Sequence, residues 1–256
     1  MSLRFASLGS GSRGNALLLE TPHVRLLIDC GFPAREIEKR LAKLSVDPQT
    51  LDGILVTHEH GDHIRGLGAL ARRYALPVWM TAGTYRNACY GELPSLNGID
   101  CHAGWFSFGD LEVLPFPVPH DAREPCQFLF QAGGRRLGLL TDTGHVTPHI
   151  RAHLQGCDGL VLEFNHDREM LVNGPYPPSL QARVGGSQGH LSNDQASGLL
   201  RQLSCESVQY LLASHLSEKN NTRSRVEQAV SEAVPELAAS LFFAAQERES
   251  RWFDLS

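Results

Sequence analysis

The chain has little of what marks a secreted, membrane-bound or disulfide-held protein. It opens Met-Ser-Leu-Arg-Phe-Ala-Ser-Leu-Gly, without a basic stretch, an apolar stretch and a small-residue cleavage site in succession, so no secretory leader is recognised. No apolar run is long enough to span a bilayer. A cytoplasmic protein with no membrane partner is the expectation. The six cysteines (Cys30, Cys89, Cys101, Cys126, Cys157, Cys205) are scattered and form no Cys-x-x-Cys, which excludes a disulfide scaffold or zinc knuckle. They are expected to be reduced and mostly buried. A basic excess is also lacking: 23 Lys and Arg stand against 28 Asp and Glu, a net charge of −5, so nucleic acid is not held by charge alone. Bound divalent cations and a local patch can still reverse the field at a site. Arg65, Arg72 and Arg73, or Arg135 and Arg136, are candidates for such a patch or for an ordinary solvated face. Repeats, low-complexity tracts and linkers are missing too. With 42% apolar and 20% charged residues, the composition is that of a packed globular protein, expected to form one domain over residues 1–256.

Strands alternate with helices along the chain. Residues 4–8, 16–20 and 24–29 read as a β-meander broken by the loop Gly9-Ser-Gly-Ser-Arg-Gly-Asn15, whose backbone N–H groups are candidates for approaching a phosphate. Residues 34–44 place Ile37, Leu41 and Leu44 at helical spacing with charges opposite, an amphipathic helix. A short buried strand follows over 53–56, then a helix over 64–75. Further strands are expected near 78–80, 111–117, 127–131, 136–141, 158–163 and 207–212, and helices near 147–154, 193–202 and 222–232, with Ser192 or Asn193 as N-cap. The stretch 173–189, rich in Gly, Pro and Ser, reads as a long irregular loop on the substrate side.

The chemistry concentrates in Thr57-His58-Glu59-His60-Gly61-Asp62-His63, where a strand gives way to a helix. Imidazoles and a carboxylate are ligands that Zn, Mn and Fe accept. The His-x-His-x-Asp-His pattern resembles the signature of the metallo-β-lactamase superfamily, whose fold is an α/β four-layer αββα sandwich. Four further motifs of that family match in order: Asp29 after Leu26-Leu27-Ile28, His120 in Val118-Pro119-His120-Asp121, Asp142 before Thr143-Gly144, and His215 after Ala213-Ser214. The resemblance implies that His58, His60 and His120 hold one divalent ion, that Asp62, His63 and His215 hold a second, and that Asp142 bridges them. Asp62 then belongs to the catalytic centre as well as to the ligand set. Two cations a few ångströms apart acidify a shared water and clamp the attacking and leaving oxygens, so a bridging hydroxide is the implied nucleophile. Asp29 is a candidate for fixing the second ring nitrogen of a ligand histidine. Glu59 is no ligand in this pattern.

The segments Leu160-Val-Leu-Glu163-Phe164-Asn165-His166-Asp167 and Gly189-His190-Leu191-Ser192 resemble the phosphodiesterase branch that includes tRNase Z. That resemblance implies that Glu163 orients His190 and that His190 protonates the leaving oxygen, a pairing that fixes the imidazole's tautomer and raises its basicity. Asn165 and His166 are expected to face the same pocket as substrate contacts. With the opening Gly/Ser loop and Ser214-His215-Leu-Ser-Glu-Lys-Asn-Asn221, nearly the whole chain is similar to the small YycJ-type (WalJ/VicX) hydrolases, described as nucleases acting on DNA from a 5′ end. The expected function is therefore binuclear, metal-dependent hydrolysis of phosphodiesters, with nucleic acid as substrate. Zn and Mn fit the ligands about equally, Fe is compatible, and a homodimer is an open arrangement. The alternative is a small-molecule hydrolase of lactonase, thioesterase or glyoxalase II type, which a deep apolar pocket over the metals would favour. A regulatory metal-binding protein without turnover is a third reading.

Overall fold

The computed structural model describes residues 3–87 and 90–256. Its frame is two seven-stranded sheets. The first contains β1 (Leu3–Gly9), β2 (Ala16–Glu20), β3 (Arg25–Ile28), β4 (Gly53–Leu55), β5 (Pro77–Thr81) and β6 (Ser95–Ile99). The second contains β7 (Phe106–Phe108), β8 (Leu111–Pro117), β9 (Cys126–Ala132), β10 (Arg135–Leu140), β11 (Gly159–Glu163), β12 (Tyr210–Ser214) and β13 (Leu241–Phe243). The last strand, β14 (Phe253–Leu255), returns to the first sheet and pairs antiparallel with β1. Each sheet is antiparallel in one half and parallel in the other: β1, β2 and β3 form the expected meander, while β3 to β6 and β10 to β13 run parallel.

The residue pattern explains this arrangement. Ala-Leu-Leu-Leu-Glu in β2 and Gly-Leu-Val-Leu-Glu in β11 are buried at every position, as strands covered on both faces must be. Three apolar clusters account for four layers. One, with Phe5, Leu19, Phe128 and Phe130, lies between the sheets; another packs Ile37, Leu41, Leu67 and Leu70 on the outer face of the first sheet; the third packs Ile150, Leu199, Val226 and Val230 on the outer face of the second. This is the αββα sandwich.

The helices are α1 (Ala34–Lys43), α2 (Gly61–Ile64), α3 (Leu67–Tyr74), α4 (Ala82–Asn87), α5 (Pro148–Leu154), α6 (Arg168–Asn173), α7 (Pro178–Val184), α8 (Asn193–Leu200) and α9 (Arg223–Ala233). The single helix expected over 64–75 is two, α2 and α3, parted at Gly66. A Cβ there would stand 2.1 Å from the Phe32 carbonyl oxygen, and the Gly66 N–H bonds the Cys30 carbonyl instead of continuing a helix. Ser192 caps α8, and Gln195 completes the capping box. The expected irregular stretch 173–189 is corrected: α7 occupies its middle, started by Pro178 in the first turn, a position proline favours.

Cys30, Cys126, Cys157 and Cys205 are buried free thiols and Cys101 is half-buried; Cys89 lies outside the described residues. Among the described residues no helix is long and apolar enough to cross a membrane.

Candidate metal centre

Carboxyl ends of parallel strands are where open α/β sheets gather ligand-binding groups, and here both sheets contribute. Asp29 follows β3, Thr57 and His58 follow β4, Asp142 follows β10, Glu163 ends β11 and His215 follows β12. Asp29, Asp142 and His215 have left-handed backbones, with φ of 62°, 47° and 52°. L-residues avoid that region, and its use here turns the chain sharply so that the side chains leave the sheets toward one point. Beneath them Gly31 packs on the Asp62 backbone so closely that a Cβ would stand 1.6 Å from the Asp62 carbonyl oxygen.

The sequence-predicted ligands converge in three sets. His58, His60 and His120 form one, Asp62, His63 and His215 another, and Asp142 joins His58 and His63 in a third; within each, the potential ligand atoms lie within 4.8 Å of one another. The wiring behind them decides which atoms are available. Asp29 accepts from the Thr57 backbone N–H at Oδ1 (2.8 Å), and from the Thr57 hydroxyl (2.9 Å) and His63 Nδ1 (2.8 Å) at Oδ2. Because that hydroxyl donates to Asp29, it accepts from His58 Nδ1, 2.9 Å away. His120 Nδ1 donates to the Gly189 carbonyl (3.0 Å) and His60 Nε2 faces the Asp121 carbonyl (3.2 Å). His215 Nδ1 faces Glu163 Oε1 at 3.1 Å.

Each of the five histidines thus has one nitrogen anchored and the other aimed inward, the arrangement that fixes metal-ligand imidazoles. Of the inward atoms, His58 Nε2, His215 Nε2 and Asp142 Oδ2 are buried with no hydrogen bond among the described residues, while His60 Nδ1 and His120 Nε2 face each other at 3.2 Å and His63 Nε2 lies 3.1 Å from Asn15 Nδ2. Buried polar atoms are normally satisfied. Nitrogen and carboxylate donors left open in this way fit divalent ions.

Without metal the electrostatics divide the rings: against burial, Asp142 and the neighbouring carboxylates raise His63 and His215 well above the ordinary value, so an ion entering there would displace their protons. Burial, with His63 next, drives His58 well below its ordinary value, and burial likewise lowers His120, so these rings are neutral and carry a lone pair. Burial opposes the charge on Asp142, but His215 and His63 outweigh it and hold the carboxylate well below its usual range. Asp62 is held at about 2 despite burial by His63 and His215.

Beside this cluster, Glu163 is fully buried. Its Oε1 accepts from His190 Nδ1 at 2.8 Å, and Oε2 accepts the N–H groups of Thr143 and Leu191, each at 3.1 Å. His190 Nδ1 also lies 3.2 Å from Asp142 Oδ1. Burial works against protonation of His190, but Glu163 and Asp142 raise it to about 9, so at neutral pH the ring holds a proton beyond the one tied to Glu163.

A cleft of about 210 Å³ opens on the cluster, with His60, Asp62, Asp142, His190 and His215 on its floor and Ser12, Asn165, Tyr176, Arg183 and Ser217 on its walls. Asn165 donates to the His215 carbonyl at 3.0 Å. His166 does not share this cleft as expected; it lines a neighbouring cavity, because consecutive residues after β11 point apart. Glu59 turns away, accepting the Arg123 N–H at 2.8 Å.

Three contributors were not singled out in the sequence. Asn15 Nδ2 lies 3.3 Å from Asp62 Oδ2, and the Ser10 hydroxyl accepts the His215 N–H at 2.8 Å while donating to Asn15 Oδ1. The opening Gly/Ser loop therefore braces the cluster. As a phosphate nest it is corrected: the N–H groups of Ser10, Gly11, Arg13, Gly14 and Asn15 are already bonded within the protein. The third is Arg183, which pairs with Asp121 (Nε to Oδ2, 2.6 Å) at the mouth of the cleft. The arginines that could form either a patch or an ordinary solvated face are tied to their own surroundings: Arg72 to backbone carbonyls, Arg73 to Glu38, Arg135 to Asp158 and Arg136 to backbone carbonyls. Arg65 binds the Arg13 carbonyl.

Comparison with known proteins adds a second line to this geometry. The family model described as Beta-lactamase superfamily domain matches residues 24–215, which runs from β3 to His215. The chain is 37% identical over 239 residues to exodeoxyribonuclease YycJ of Bacillus anthracis, covering 92% of this chain and 90% of that one. It is also 37% identical over 229 residues to exodeoxyribonuclease WalJ of Streptococcus pneumoniae, covering 87% and 85%. Among solved structures, the metallo-β-lactamase fold protein YhfI of Bacillus subtilis superposes with a TM-score of 0.77 over 99% of each chain at 15% identity. Fold, strand-end cluster and family match coincide on the same residues, and the chain belongs to the β-lactamase superfamily of metal-dependent hydrolases.

Proposed function

We propose that this protein is a metal-dependent phosphodiesterase that degrades DNA from a strand end. In this reading His58, His60 and His120 would hold one divalent ion, Asp62, His63 and His215 would hold a second, and Asp142 would serve as a ligand beside them. Zn and Mn both suit the donors, and the cytoplasm is the proposed location. With ions bound, the centre supplies a water acidic enough to attack at neutral pH and positive charge for the attacking and leaving oxygens.

The protein's own groups do the rest. Glu163 fixes His190 through Nδ1, which leaves Nε2 as the nitrogen that hands a proton to the departing oxygen. The carboxylate pair also keeps that ring protonated until it is needed. Asp29 and Thr57 lock the rings of His63 and His58, so the site requires little reorganisation during reaction. Arg183 at the cleft mouth meets the incoming phosphate.

The observation that carries the proposal is the His190 to Glu163 bond of 2.8 Å directly beside Asp142. A protonated ring held in this way serves an alkoxide leaving group such as a sugar oxygen, and the names of the 37%-identical relatives favour DNA. The cleft sets Ser12, Asn165, Arg183 and Ser217 beside Leu180, Val184 and Leu216, so an anionic substrate meets one cation and polar partners next to an apolar side.

The test is cleavage of end-labelled single- and double-stranded DNA and RNA by protein loaded with Mn or Zn, beside His60→Ala and His190→Ala. DNA products that shorten from one end, vanish in H60A and form at least about 100-fold more slowly in H190A at unchanged metal content support the reading. Full activity in H190A overturns the acid assignment. No cleavage by protein holding two ions overturns the nuclease reading.

A further inference from the structure

Helix α7 presents different residues to two hollows. Leu180, Arg183 and Val184 line the metal cleft, whereas Pro178, Gln181, Ala182 and Gly185 line a second cavity of about 480 Å³. Spacings of three and four residues place each set on one side of the helix. The same division recurs after β11, where Asn165 lines the cleft and His166 the second cavity. With α7 as a shared wall, the hollows lie within roughly a helix width, about 10–12 Å, of one another.

The second cavity has the chemistry of a binding site. Its volume falls in the range of about 300–1,000 Å³ typical of small-ligand pockets. Leu171, Val172, Pro178 and Ala182 form apolar walls, with Val172 exposed at the rim. His166 is 2% exposed, and its Nδ1 has no hydrogen-bond partner among the described residues. A buried polar atom left open calls for an explanation, and here the atom belongs to a ring that borders an open cavity. Burial holds that ring down to about 4, so at neutral pH it offers one N–H donor and one lone-pair acceptor. Arg168 is the one cation among the described lining residues, and it already bonds the Ser192 hydroxyl at 3.2 Å and stands 3.6 Å from Asp194. That combination is poor for a second phosphate. It suits an uncharged planar heterocycle that packs against apolar walls and exchanges a hydrogen bond with a neutral imidazole.

We propose that this cavity receives a nucleobase next to the scissile phosphate, while the phosphodiester itself lies in the metal cleft. The proposal rests on the nuclease reading above and adds to it a base subsite formed by α7 and His166. Burying roughly 60 Å² of a base against aliphatic side chains is enough to change substrate preference about ten-fold.

The experiment uses the full chain loaded with Mn and two single-stranded oligonucleotides, one intact and one lacking the bases that flank the scissile phosphate. Both are tested with native protein and with Ala182→Trp, which fills the cavity from an exposed helical position. The native protein is expected to prefer the intact strand about ten-fold in kcat/KM, and A182W to lose that preference. Equal kcat/KM for the two strands in the native protein, or an undiminished preference in A182W, overturns the base subsite. If the native protein hydrolyses bis(p-nitrophenyl) phosphate but no oligonucleotide, the nuclease reading fails instead. Isothermal titration with deoxyadenosine and deoxycytidine then decides the cavity by itself: weaker binding by A182W supports a heterocycle site, and equal binding or none overturns it.

Discussion

Glu163→Gln gives the most searching test of how the centre is held together. The carboxylate receives four donors: His190 Nδ1 (2.8 Å) and His215 Nδ1 (3.1 Å) at Oε1, and the N–H groups of Thr143 and Leu191 (3.1 Å each) at Oε2. Glutamine matches its shape but replaces one acceptor by an NH₂ group. In either orientation the new amide nitrogen meets two donors, so two hydrogen bonds to a buried charge are lost, each contributing about 1.5–3 kcal/mol. If the nitrogen faces the histidines, the acid loses its orientation and His215 its anchor. If it faces the backbone, the loops carrying Asp142 and His190 lose their tie. Orientation of a general acid is worth about 10²–10⁴ in rate, and a group supporting a ligand histidine about 10–100-fold in metal affinity. E163Q should therefore lower kcat on DNA at least about 100-fold at saturating Mn and raise the Mn concentration for half activity about ten-fold or more. Steady-state kinetics over stepped Mn, with metal content by mass spectrometry, reads both effects. His190→Asn serves as the control that should lower kcat without moving the metal requirement. An E163Q protein with near-native kcat and an unchanged Mn requirement would refute this account of the residue.

Other consequences can be checked by simpler means. Thr57→Val removes the hydroxyl between Asp29 and His58 with little change of shape, and should weaken metal binding about 10–100-fold; competition with a fluorescent chelator measures it, and native affinity would dismiss the link. Stripping the ions should lower the melting temperature, since ligand at 100 times its Kd stabilises by about 2.7 kcal/mol. A melt unchanged by chelation would show that the cluster holds none. Burial keeps His166 at about 4 in the folded protein, below its ordinary value of about 6.5. The unfolded chain therefore takes up the proton first as pH falls. Stability is fully present above pH ~6.5 and declines toward pH ~4, by about 2 kcal/mol at pH 5. His166→Phe should flatten this part of the urea-unfolding profile between pH 7 and 5, and an identical profile would refute the buried neutral ring.

Legibility in the sequence followed the range over which each feature is determined. Ile37 and Leu41 lie on the buried face of α1, and the all-buried run of β11 is visible because its apolar residues are consecutive. The edge strands β6, β7, β13 and β14 went unread. They are three to five residues long, too short for a period, and depend on pairing with neighbours distant in sequence. Helix α7 reads as loop in the sequence because none of its residues is buried, which leaves no apolar stripe; Pro177-Pro178 is the available signal. At the site, the residues of the His/Asp motifs could be picked out because they recur in a known order, and the structure brings them together. Ser10, Asn15 and Arg183 could not. Their roles arise only when a loop from the chain's start, or a helix from its later half, is laid against the cluster. His166 lines a different hollow from Asn165 because adjacency in sequence says nothing about which way a residue after a strand will turn.

The left-handed conformations of Asp29, Asp142 and His215 have a consequence for how this protein can be improved or damaged. Each costs about 1–3 kcal/mol relative to a relaxed backbone, and glycine would adopt the same φ freely. Strain alone would favour glycine at all three positions. At Asp142, however, glycine would also strip His63, His190 and His215 of the buried carboxylate that stands 3.1–3.3 Å from them, and breaking a buried charge pair costs about 3–5 kcal/mol. Asp142→Gly should therefore lose more stability than it recovers, so this strand end stays strained even where no chemistry is selected.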